Sequence, residues 1–334
     1  MIRQLTIVAI SGVLIASKLS PSLASSYLRF AQDDSGLIKD ALRFCLAILL
    51  ILEANAALGW IWKQDSSGWR SDHEIAVITG GSKGIGAKLV QELVKRGAKV
   101  AVLDIEPLSA DVSHDVRQSV SFYKCDVTSK ESVRQAAEAL RADIGSPTLL
   151  FNNAGVGNGN TILESTPESL SRIFNVNLIS HWYTVQAFLP EMIAMKKGHI
   201  ISTASMSAFL GLAGMVDYSC TKVALVAFHE GLVQELKHRY HCPQIKSTVA
   251  YPNWTRTDMT APISKQIRKS GSSIVEPEEV ARAMINHIVA GKSGHLVLGP
   301  KLAQYVRVFP SWLQEAIRDR LANVVTAVVP TNGS

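Results

Sequence analysis

The stretch "TGGSKGIG", residues 79–86, decides the fold assignment. It follows a short apolar run at residues 74–79 and leads into an amphipathic one at residues 86–97. Three glycines in it have the spacing GxxxGxG, not the more common GxGxxG: Gly80, Gly84 and Gly86. Such a turn lets the backbone approach a pyrophosphate and leaves N–H groups free at a helix N-terminus. An ordinary strand-to-helix turn is the alternative, but this position favours a phosphate-binding turn.

The chain after residue 70 alternates short β-branched runs with longer amphipathic ones. Seven runs predict strands, at residues 74–79, 99–103, 121–125, 148–152, 199–205, 246–252 and 295–299. Two of the amphipathic runs predict helices, at residues 86–97 and 132–145. Nearly continuous apolar strands separated by helices are typical of a parallel sheet covered on both faces. The pattern therefore predicts an α/β fold with a doubly wound, Rossmann-type sheet, which binds ligands at the carboxyl ends of its strands.

Composition limits the function classes. The 334-residue chain is 47% hydrophobic and 19% charged, which indicates a large core. The formal net charge of +6 comes without a dense Lys/Arg block, so we expect no nucleic-acid partner, while weak attraction to an anionic membrane is compatible with it. The four cysteines show neither CxxC spacing nor a disulfide framework, and the nine histidines do not cluster with them at ligand spacing. We therefore predict no metal site.

The N-terminal extension is hydrophobic in two places. Residues 5–16 are apolar but short for a bilayer span, whereas residues 44–62 hold one charge, Glu53, and end in a pair of tryptophans. About 20 apolar residues cross the hydrocarbon core, and tryptophan suits its interface. Glu53 is costly at mid-membrane. A membrane span, an interfacial helix and a helix buried against a partner all remain open for residues 41–62, and we expect a membrane anchor.

Four parts make up the predicted domain organisation. They are a hydrophobic N-terminal membrane segment (1–62), a polar linker (63–73), an α/β domain (74–300) and a C-terminal amphipathic tail (301–334). The amphipathic pattern of the tail is broken by Pro310. We expect the tail to pack on the domain, with a subunit interface or a membrane surface as the alternatives.

Asp104 ends the second predicted strand, about 20 residues after the glycines. A carboxylate there accepts hydrogen bonds from an adenosine ribose and repels a 2′-phosphate, which favours NAD over NADP. Lys83, inside the glycine turn, acts in the opposite direction because a cation could bind that phosphate. NAD is the preferred cofactor and NADP the alternative. The residues of the turn predicted to bind it are Gly80, Ser82, Lys83, Gly84, Ile85 and Gly86.

The stretch "DYSCTK", residues 217–222, holds a tyrosine and a lysine four positions apart. On a helix, Tyr218 and Lys222 lie on one face about a turn apart. A nearby cation favours the phenolate and lowers the tyrosine pKa from its usual value of about 10. That change would make the phenol usable as an acid or base near neutrality. Alone, the spacing also occurs by chance with a solvated lysine.

These motifs, together with "NNAG" (152–155), "NVNL" (175–178) and Ser205, occur in an order that resembles the classical short-chain dehydrogenases/reductases. The resemblance covers residues 72 to about 300 and implies a single catalytic domain. It implies that Tyr218 is the general acid or base and that Ser205 hydrogen-bonds the substrate oxygen. It also implies that the lysine lowers the tyrosine pKa and binds the nicotinamide ribose, while hydride moves between nicotinamide and substrate.

The same resemblance assigns further site residues. Asn177 would support a water that links the catalytic lysine to solvent, and Asp126 would lie beside the adenine. Asn153 would steady the central sheet and line the cofactor, and Thr257 would meet the nicotinamide carboxamide. One position departs from the pattern, since Asn253 stands where the family usually has glycine. Asparagine tolerates left-handed conformations better than most residues.

The hydrophobic N-terminus, "VLDIEP" and the Pro-Asn pair resemble the membrane-anchored branch that includes retinol dehydrogenases and 17-beta-hydroxysteroid dehydrogenases. This implies a small lipophilic alcohol, ketone or aldehyde as substrate. It also implies a homodimer on a membrane of the endoplasmic reticulum or lipid droplet, with the catalytic domain on the cytosolic face. Apolar segments at residues 206–215 and 259–267 suit such a substrate.

Two other functions are compatible with the sequence. One is an NADPH-dependent carbonyl reductase in lipid or secondary-metabolite biosynthesis, for which Lys83 is the best support. The other is a non-catalytic dinucleotide-binding membrane scaffold, because a fold alone does not establish activity. A scaffold has no need for the four predicted catalytic residues, and their presence favours an enzyme. These are Asn177, Ser205, Tyr218 and Lys222.

Overall fold

The computed structural model describes residues 53–54, 74–110 and 112–326. The predicted membrane segment (1–62) and linker (63–73) lie outside the described residues, except for two helical positions, Glu53 and Ala54. Within the described ranges, no helix is long and apolar enough to cross a membrane.

Seven parallel strands form one sheet. They are β1 (Ile75–Thr79), β2 (Lys99–Asp104), β3 (Val120–Lys124), β4 (Leu149–Asn152), β5 (His199–Thr203), β6 (Lys246–Pro252) and β7 (Gly294–Leu298). Their order across the sheet is β3-β2-β1-β4-β5-β6-β7. All seven strands predicted from the apolar runs are confirmed, each within two residues at either end. The predicted parallel, Rossmann-type sheet is therefore correct.

Helices cover both faces of this sheet. They are α1 (Gly84–Lys95), α2 (His114–Gln118), α3 (Lys130–Ile144), α4 (Pro167–Phe174), α5 (Ser180–Met195), α6 (Val216–His238), α7 (Ser264–Lys269), α8 (Pro277–Val289), α9 (Ser311–Leu321) and α10 (Asn323–Thr326). A π-helical turn at Asn175–Ile179 joins α4 to α5. Short 3₁₀ helices lie at Met206–Ala208 and Ala261–Ile263, and a longer one at Lys301–Val308.

Neighbouring residues of one strand pack into different cores. Val77 of β1 contacts the cluster formed with α3, α5 and α6, whereas Ala76 and Ile78 contact the cluster formed with α1 and α8. All three are fully buried. Side chains alternate between the faces of a strand, so a strand covered on both sides is apolar throughout. This burial explains the continuous apolar runs in the sequence.

The chain reverses direction across the sheet beside β1. From β1 it proceeds outward to β2 and β3, and it then returns to β4 on the other side. A crevice opens at the carboxyl ends of strands where the order reverses in this way. The glycine turn after β1 and the "NNAG" loop after β4 meet at this point.

The C-terminal tail packs on the rest of the α/β structure through residue 325. Val306 is buried in a cluster with Leu210 and Leu212. Val324 and Val325 are buried in a cluster with Ile267 of α7. The amphipathic pattern thus corresponds to a segment whose apolar side contacts the loops after β5 and β6.

Candidate active site

The glycine turn is held by backbone contacts that leave no room for side chains. Gly80 has φ of +64° and donates its N–H to the Leu103 carbonyl at 2.9 Å. A Cβ on Gly80 would lie 2.8 Å from the Cα of Ala154, and a Cβ on Gly86 would lie 2.0 Å from the Gly80 oxygen. These approaches are closer than any real Cβ contact, so glycine is required at both positions. The first turn of α1, the end of β1 and the loop after β4 therefore close around one cradle.

Asp104 supports this cradle through both of its carboxylate oxygens. Oδ2 accepts a hydrogen bond from the Ser82 N–H at 3.0 Å, and Oδ1 accepts one from the Glu106 N–H at 3.3 Å. The Ser82 hydroxyl donates to the Glu106 carbonyl at 2.6 Å. The predicted ribose-binding carboxylate therefore also fixes the glycine turn to the end of β2.

Lys83 forms an ion pair with Glu106, and both side chains are more than half exposed. The hydrogen bond and charge of Glu106 raise the pKa of Lys83, with smaller contributions from Asp258 and Asp104. The cation that could bind a 2′-phosphate thus already has a carboxylate partner. Sequence reasoning missed Glu106, although it stands two positions after Asp104 in "VLDIEP".

Asp126 and Thr257 border the same cradle from two other loops. The Asp126 carboxylate accepts hydrogen bonds from the N–H and hydroxyl of Thr128, at 2.9 and 2.7 Å. The methyl carbon of Thr257 lies 3.1 Å from where a Cβ of Gly84 would be. Among the described residues, two non-glycine residues have positive φ, Lys196 and His241. Asn253 is not one of them. The glycine that the family usually has at position 253 is therefore not needed for this backbone.

Asn153 joins the central strands, as the resemblance implied. Its side-chain amide donates to the Thr79 and Gly80 carbonyls at 3.3 and 3.1 Å. Its backbone N–H donates to the Thr79 hydroxyl at 3.0 Å. Its Oδ1 accepts from the Thr203 hydroxyl at 3.5 Å. One side chain therefore connects the ends of β1, β4 and β5.

Asn177 lies in the π-helical turn and is fully buried. Its Oδ1 accepts from the Val156 N–H at 2.8 Å, and its Nδ2 donates to the Val156 carbonyl at 2.9 Å and to the Thr221 hydroxyl at 3.3 Å. The side chain therefore holds the loop after β4 against α6. Its described contacts give it a structural part in the site, and the water-supporting role stays a prediction.

Helix α6 brings Tyr218 and Lys222 to one face, as their spacing predicts. The Lys222 Nζ lies over the Tyr218 ring, 5.4 Å from its centroid, and donates to the Thr203 carbonyl at 2.8 Å. Lys222 is only 3% exposed, and burial lowers its pKa to about 8. An ammonium group that loses its proton near pH 8 can exchange that proton under physiological conditions.

The expected lowering of the Tyr218 pKa by Lys222 is wrong for this structure. Burial raises the pKa of Tyr218, and the Ser205 side chain opposes the rise. Lys222 is not among the groups that shift the Tyr218 pKa, and burial lowers the pKa of the lysine itself. Ser205 is thus the neighbour that favours the phenolate here.

Asp217 is a site residue that sequence reasoning missed. It is 7% exposed and lies in the first turn of α6. Oδ1 accepts from the Tyr218 N–H at 2.7 Å, and Oδ2 accepts from the Asn158 side-chain amide at 2.8 Å. The carboxylate joins the loop after β4 to the start of α6. The acidic residue directly before Tyr218 was the available signal.

A cavity of about 1380 Å³ opens at this edge of the sheet. Most of the predicted site residues line it: Gly80, Lys83, Gly84, Ile85, Asp104, Asp126, Asn153, Ser205, Tyr218, Lys222 and Thr257. The remaining three, Ser82, Gly86 and Asn177, do not line the cavity but contact residues that do. Apolar side chains from the loops after β5 and β6 and from the tail complete the wall, among them Leu210, Leu212, Met215, Trp254 and Val325.

The sheet order and the position of the cavity place the protein among the nucleotide-binding α/β enzymes. The family model described as short chain dehydrogenase matches residues 74–268, more than half of the chain. The chain therefore belongs to the short-chain dehydrogenase family. Membership makes it an oxidoreductase that acts on CH–OH donors with a nicotinamide dinucleotide. The glycine cradle fits that cofactor, because its Cβ-free backbone and the N-terminus of α1 suit a pyrophosphate.

Characterised relatives are similar over much of the chain. Dehydrogenase RED2 of Cochliobolus heterostrophus is 37% identical over 209 residues, which are 61% of this chain and 78% of that protein. Human Short-chain dehydrogenase/reductase 3 is 30% identical over 253 residues, 74% of this chain and 82% of that protein. Retinol dehydrogenase 10-B of Xenopus laevis is 34% identical over 215 residues, 56% of this chain and 63% of that protein. The predicted resemblance to the family and to its retinol dehydrogenase-like members is confirmed.

A solved structure shows the same fold. The 3-ketoacyl-(acyl-carrier-protein) reductase of Brucella melitensis, complexed with NADH, superposes with a TM-score of 0.61 at 23% identity. The match covers 68% of this chain and 97% of that one.

Proposed function

We propose that this enzyme transfers hydride between NAD(H) and a lipophilic alcohol or its carbonyl product, with Tyr218, Ser205 and Lys222 as catalytic residues. The observation that carries the proposal is that Ser205, Tyr218 and Lys222 line one largely apolar cavity together with the glycine cradle. Two hydroxyl groups that line the same cavity can both reach one substrate oxygen. The nicotinamide, when bound, supplies the hydride acceptor or donor.

Proton transfer is the part of the reaction that the chain performs. In the reducing direction the Tyr218 hydroxyl donates its proton to the substrate oxygen, and in the oxidising direction it takes up the proton of the alcohol. Ser205 donates a hydrogen bond to whichever oxygen carries negative charge. Lys222, with its pKa lowered to about 8, can lose or gain a proton as Tyr218 does. Its bond to the Thr203 carbonyl fixes its position during the exchange.

Charge around the glycine turn supports NAD over NADP. Glu106, Asp258 and Asp104 all raise the pKa of Lys83, so three carboxylates act on this cation. A 2′-phosphate would add negative charge in the same place and would have to displace Glu106 from the lysine. The ribose of NAD meets no such repulsion.

The lining of the cavity supports a lipophilic substrate. Ligand sites usually measure about 300–1,000 Å³, and the larger volume here leaves room for a substrate beside a dinucleotide. The predicted substrate segments, residues 206–215 and 259–267, both contribute to the wall, together with Trp254 and Val325. The retinol dehydrogenases among the relatives support an apolar alcohol as the substrate class.

A membrane location and a homodimer complete the proposal. The location is supported by the hydrophobic sequence of residues 44–62 and by the retinol dehydrogenase-like relatives. We place the catalytic domain on the cytosolic face, at the endoplasmic reticulum or lipid droplets. The dimer is supported by family resemblance.

A second candidate is an NADPH-dependent carbonyl reductase. Burial of Tyr218 favours it, because burial disfavours the phenolate and so retains the proton that a reductase donates to a carbonyl oxygen. Exposure of Lys83 favours it too, since an exposed ion pair is weak and can be exchanged for a phosphate contact.

Cofactor titration of the full chain separates the two functions. We expect the fluorescence of NADH and NADPH to report binding of both, with NADH tighter by about tenfold, which corresponds to about 1.4 kcal/mol. Oxidation of retinoid, steroid and fatty alcohols is then measured with the wild type and with Tyr218→Phe, which should bind cofactor and turn nothing over. Tighter binding of NADPH would establish the reductase instead. Failure of both nucleotides to bind would refute the proposal, whereas nucleotide binding without turnover of any of these alcohols or their carbonyl products would favour the dinucleotide-binding scaffold.

A further inference from the structure

The 3₁₀ helix at Lys301–Val308 has an inward row of side chains. With three residues per turn, positions i, i+3 and i+6 lie in line along such a helix. Ala303 lines the cavity, and Val306, three positions on, is 3% exposed against Leu210 and Leu212. Phe309, just past the helix, packs on the same cluster. This row explains how the segment is attached to the domain.

A second row of the same helix is apolar and faces solvent. Its members are Leu302, Tyr305 and Val308, which are 73%, 52% and 77% exposed. Trp312, at the start of α9, is 70% exposed. We call these four side chains the C-terminal apolar row. Several exposed apolar side chains on one short segment usually mark an interaction surface.

The third row carries the charge of the segment. Lys301 and Arg307 lie in line with Gln304, and residues 301–312 contain no acidic residue. Arg307 also donates to the Ala208 carbonyl at 3.1 Å, which holds its guanidinium beside the domain. Aromatic and aliphatic side chains next to lysine and arginine are the composition that partitions to the headgroup region of an anionic bilayer.

The C-terminal apolar row also lies beside the cavity. Pro300 and Ala303, which flank Leu302, both line the cavity, and Val325 lines it from α10. One short segment therefore contributes to the cavity wall with one side and exposes apolar side chains on the other. A surface that enters the lipid headgroups here would bring this part of the cavity wall to the membrane.

We propose that the C-terminal apolar row docks on an anionic membrane surface and brings the cavity to the bilayer. The charge of Lys301 and Arg307 favours lipid over a second copy of this chain, whose formal net charge is also positive. Docking does not depend on the proposed function, whereas uptake of substrate from the bilayer does.

Photochemical cross-linking of the full chain to lipid tests the docking. The protein is incorporated into vesicles of phosphatidylcholine with about a third phosphatidylserine and a trace of lipid with a diazirine in its acyl chain. The measured quantity is the position of the lipid adducts along the chain. The total number of adducts would not be informative, because the N-terminal hydrophobic sequence is itself expected to contact lipid. We expect adducts in the tryptic peptides of residues 302–307 and 308–318 and few in the peptide of residues 135–141.

Serine substitution of the row supplies the matched comparison. We expect L302S, Y305S, V308S and W312S combined to lower the adducts in both peptides by about tenfold. A control variant with F122S and Y240S, at two partly exposed aromatic residues elsewhere on the protein, should form the adducts at the wild-type level. Circular dichroism checks that both variants fold. Equal adducts in the wild type and the serine variant, or cross-links between copies of the chain at these peptides in place of lipid adducts, would overturn the proposal.

An activity measurement then distinguishes docking from the proposed function. The serine variant should have a higher KM for a long-chain alcohol delivered in vesicles and an unchanged KM for a short, water-soluble alcohol. Lipid adducts in an enzyme that oxidises neither alcohol would leave the docking supported and would count against the proposed function.

Discussion

Replacement of Gly86 by alanine tests the cradle. The new Cβ would lie 2.0 Å from the Gly80 oxygen and 2.8 Å from the Asn153 amide nitrogen, so the turn or α1 must shift by about 1 Å. Overpacking of this kind costs about 1–3 kcal/mol, and displacement of a positive-φ turn adds to it. Alanine in a helix recovers about 1 kcal/mol. We expect a net loss of about 2 kcal/mol in the free energy of unfolding.

The matched control is Gly231→Ala. Gly231 lies in the middle of α6, and a Cβ there would meet nothing within 4 Å. The same chemical change should therefore stabilise the protein by about 0.5–1 kcal/mol. In thermal denaturation we expect the midpoint to fall by about 4–8 °C for Gly86→Ala and to rise by about 1–4 °C for Gly231→Ala.

Cofactor binding completes this test. A turn displaced by about 1 Å should bind NADH at least about tenfold more weakly, whereas Gly231→Ala should bind it as the wild type does. Normal melting and normal NADH affinity of Gly86→Ala would show that the close contact of position 86 with the Gly80 carbonyl is not a constraint, and the argument for the cradle would fail.

Three further substitutions have defined outcomes. Lys222→Met removes an ammonium group whose pKa is about 8 in the folded protein and 10.5 in the unfolded chain. Between about pH 8 and pH 10.5 the unfolded state therefore binds more protons than the folded state. The stability of the wild type consequently rises with pH in this range. The stability of the variant relative to the wild type should therefore fall by about 2–3 kcal/mol from pH 7 to pH 10 in urea titrations, and a constant difference would contradict the lowered pKa. Glu106→Gln frees Lys83 and should raise kcat/KM for NADP⁺ relative to NAD⁺ by about tenfold, while Glu131→Gln, in another exposed ion pair, should leave the ratio unchanged. Asp217→Ala removes the acceptor of two hydrogen bonds and should cost about 2–3 kcal/mol on unfolding and lower kcat, whereas wild-type values would show that the tie to the loop after β4 is dispensable.

The strands could be predicted because each is a local apolar run. Burial on both faces requires such runs, as the opposite packing of Val77 and Ile78 shows. The ends of the strands were less predictable. The predicted strand at residues 199–205 ends at Thr203, two residues before Ser205. Ser205 caps the next 3₁₀ helix by accepting the Ser207 N–H at 3.2 Å, which takes it out of the strand.

The placement of Tyr218 and Lys222 on one face was predictable because one helix sets their spacing. The direction of the Tyr218 pKa was not, because burial depends on contacts from several loops. Long-range contacts also decide the pairing of Lys83 with Glu106 and the tie between Asp217 and Asn158. A single sequence shows which groups are present but does not show which of them meet.

The contact between Gly84 and Thr257 has a consequence for synthesis of the chain. The nucleotide crevice begins at β1 but is finished by the loop after β6, and its apolar wall is finished later still, by Val325. A nascent chain on the ribosome therefore has an incomplete crevice until residue 325 has been translated. Because a ligand stabilises only the state that binds it, a chain truncated before the loop after β6 should gain less stability from NADH than the full chain does.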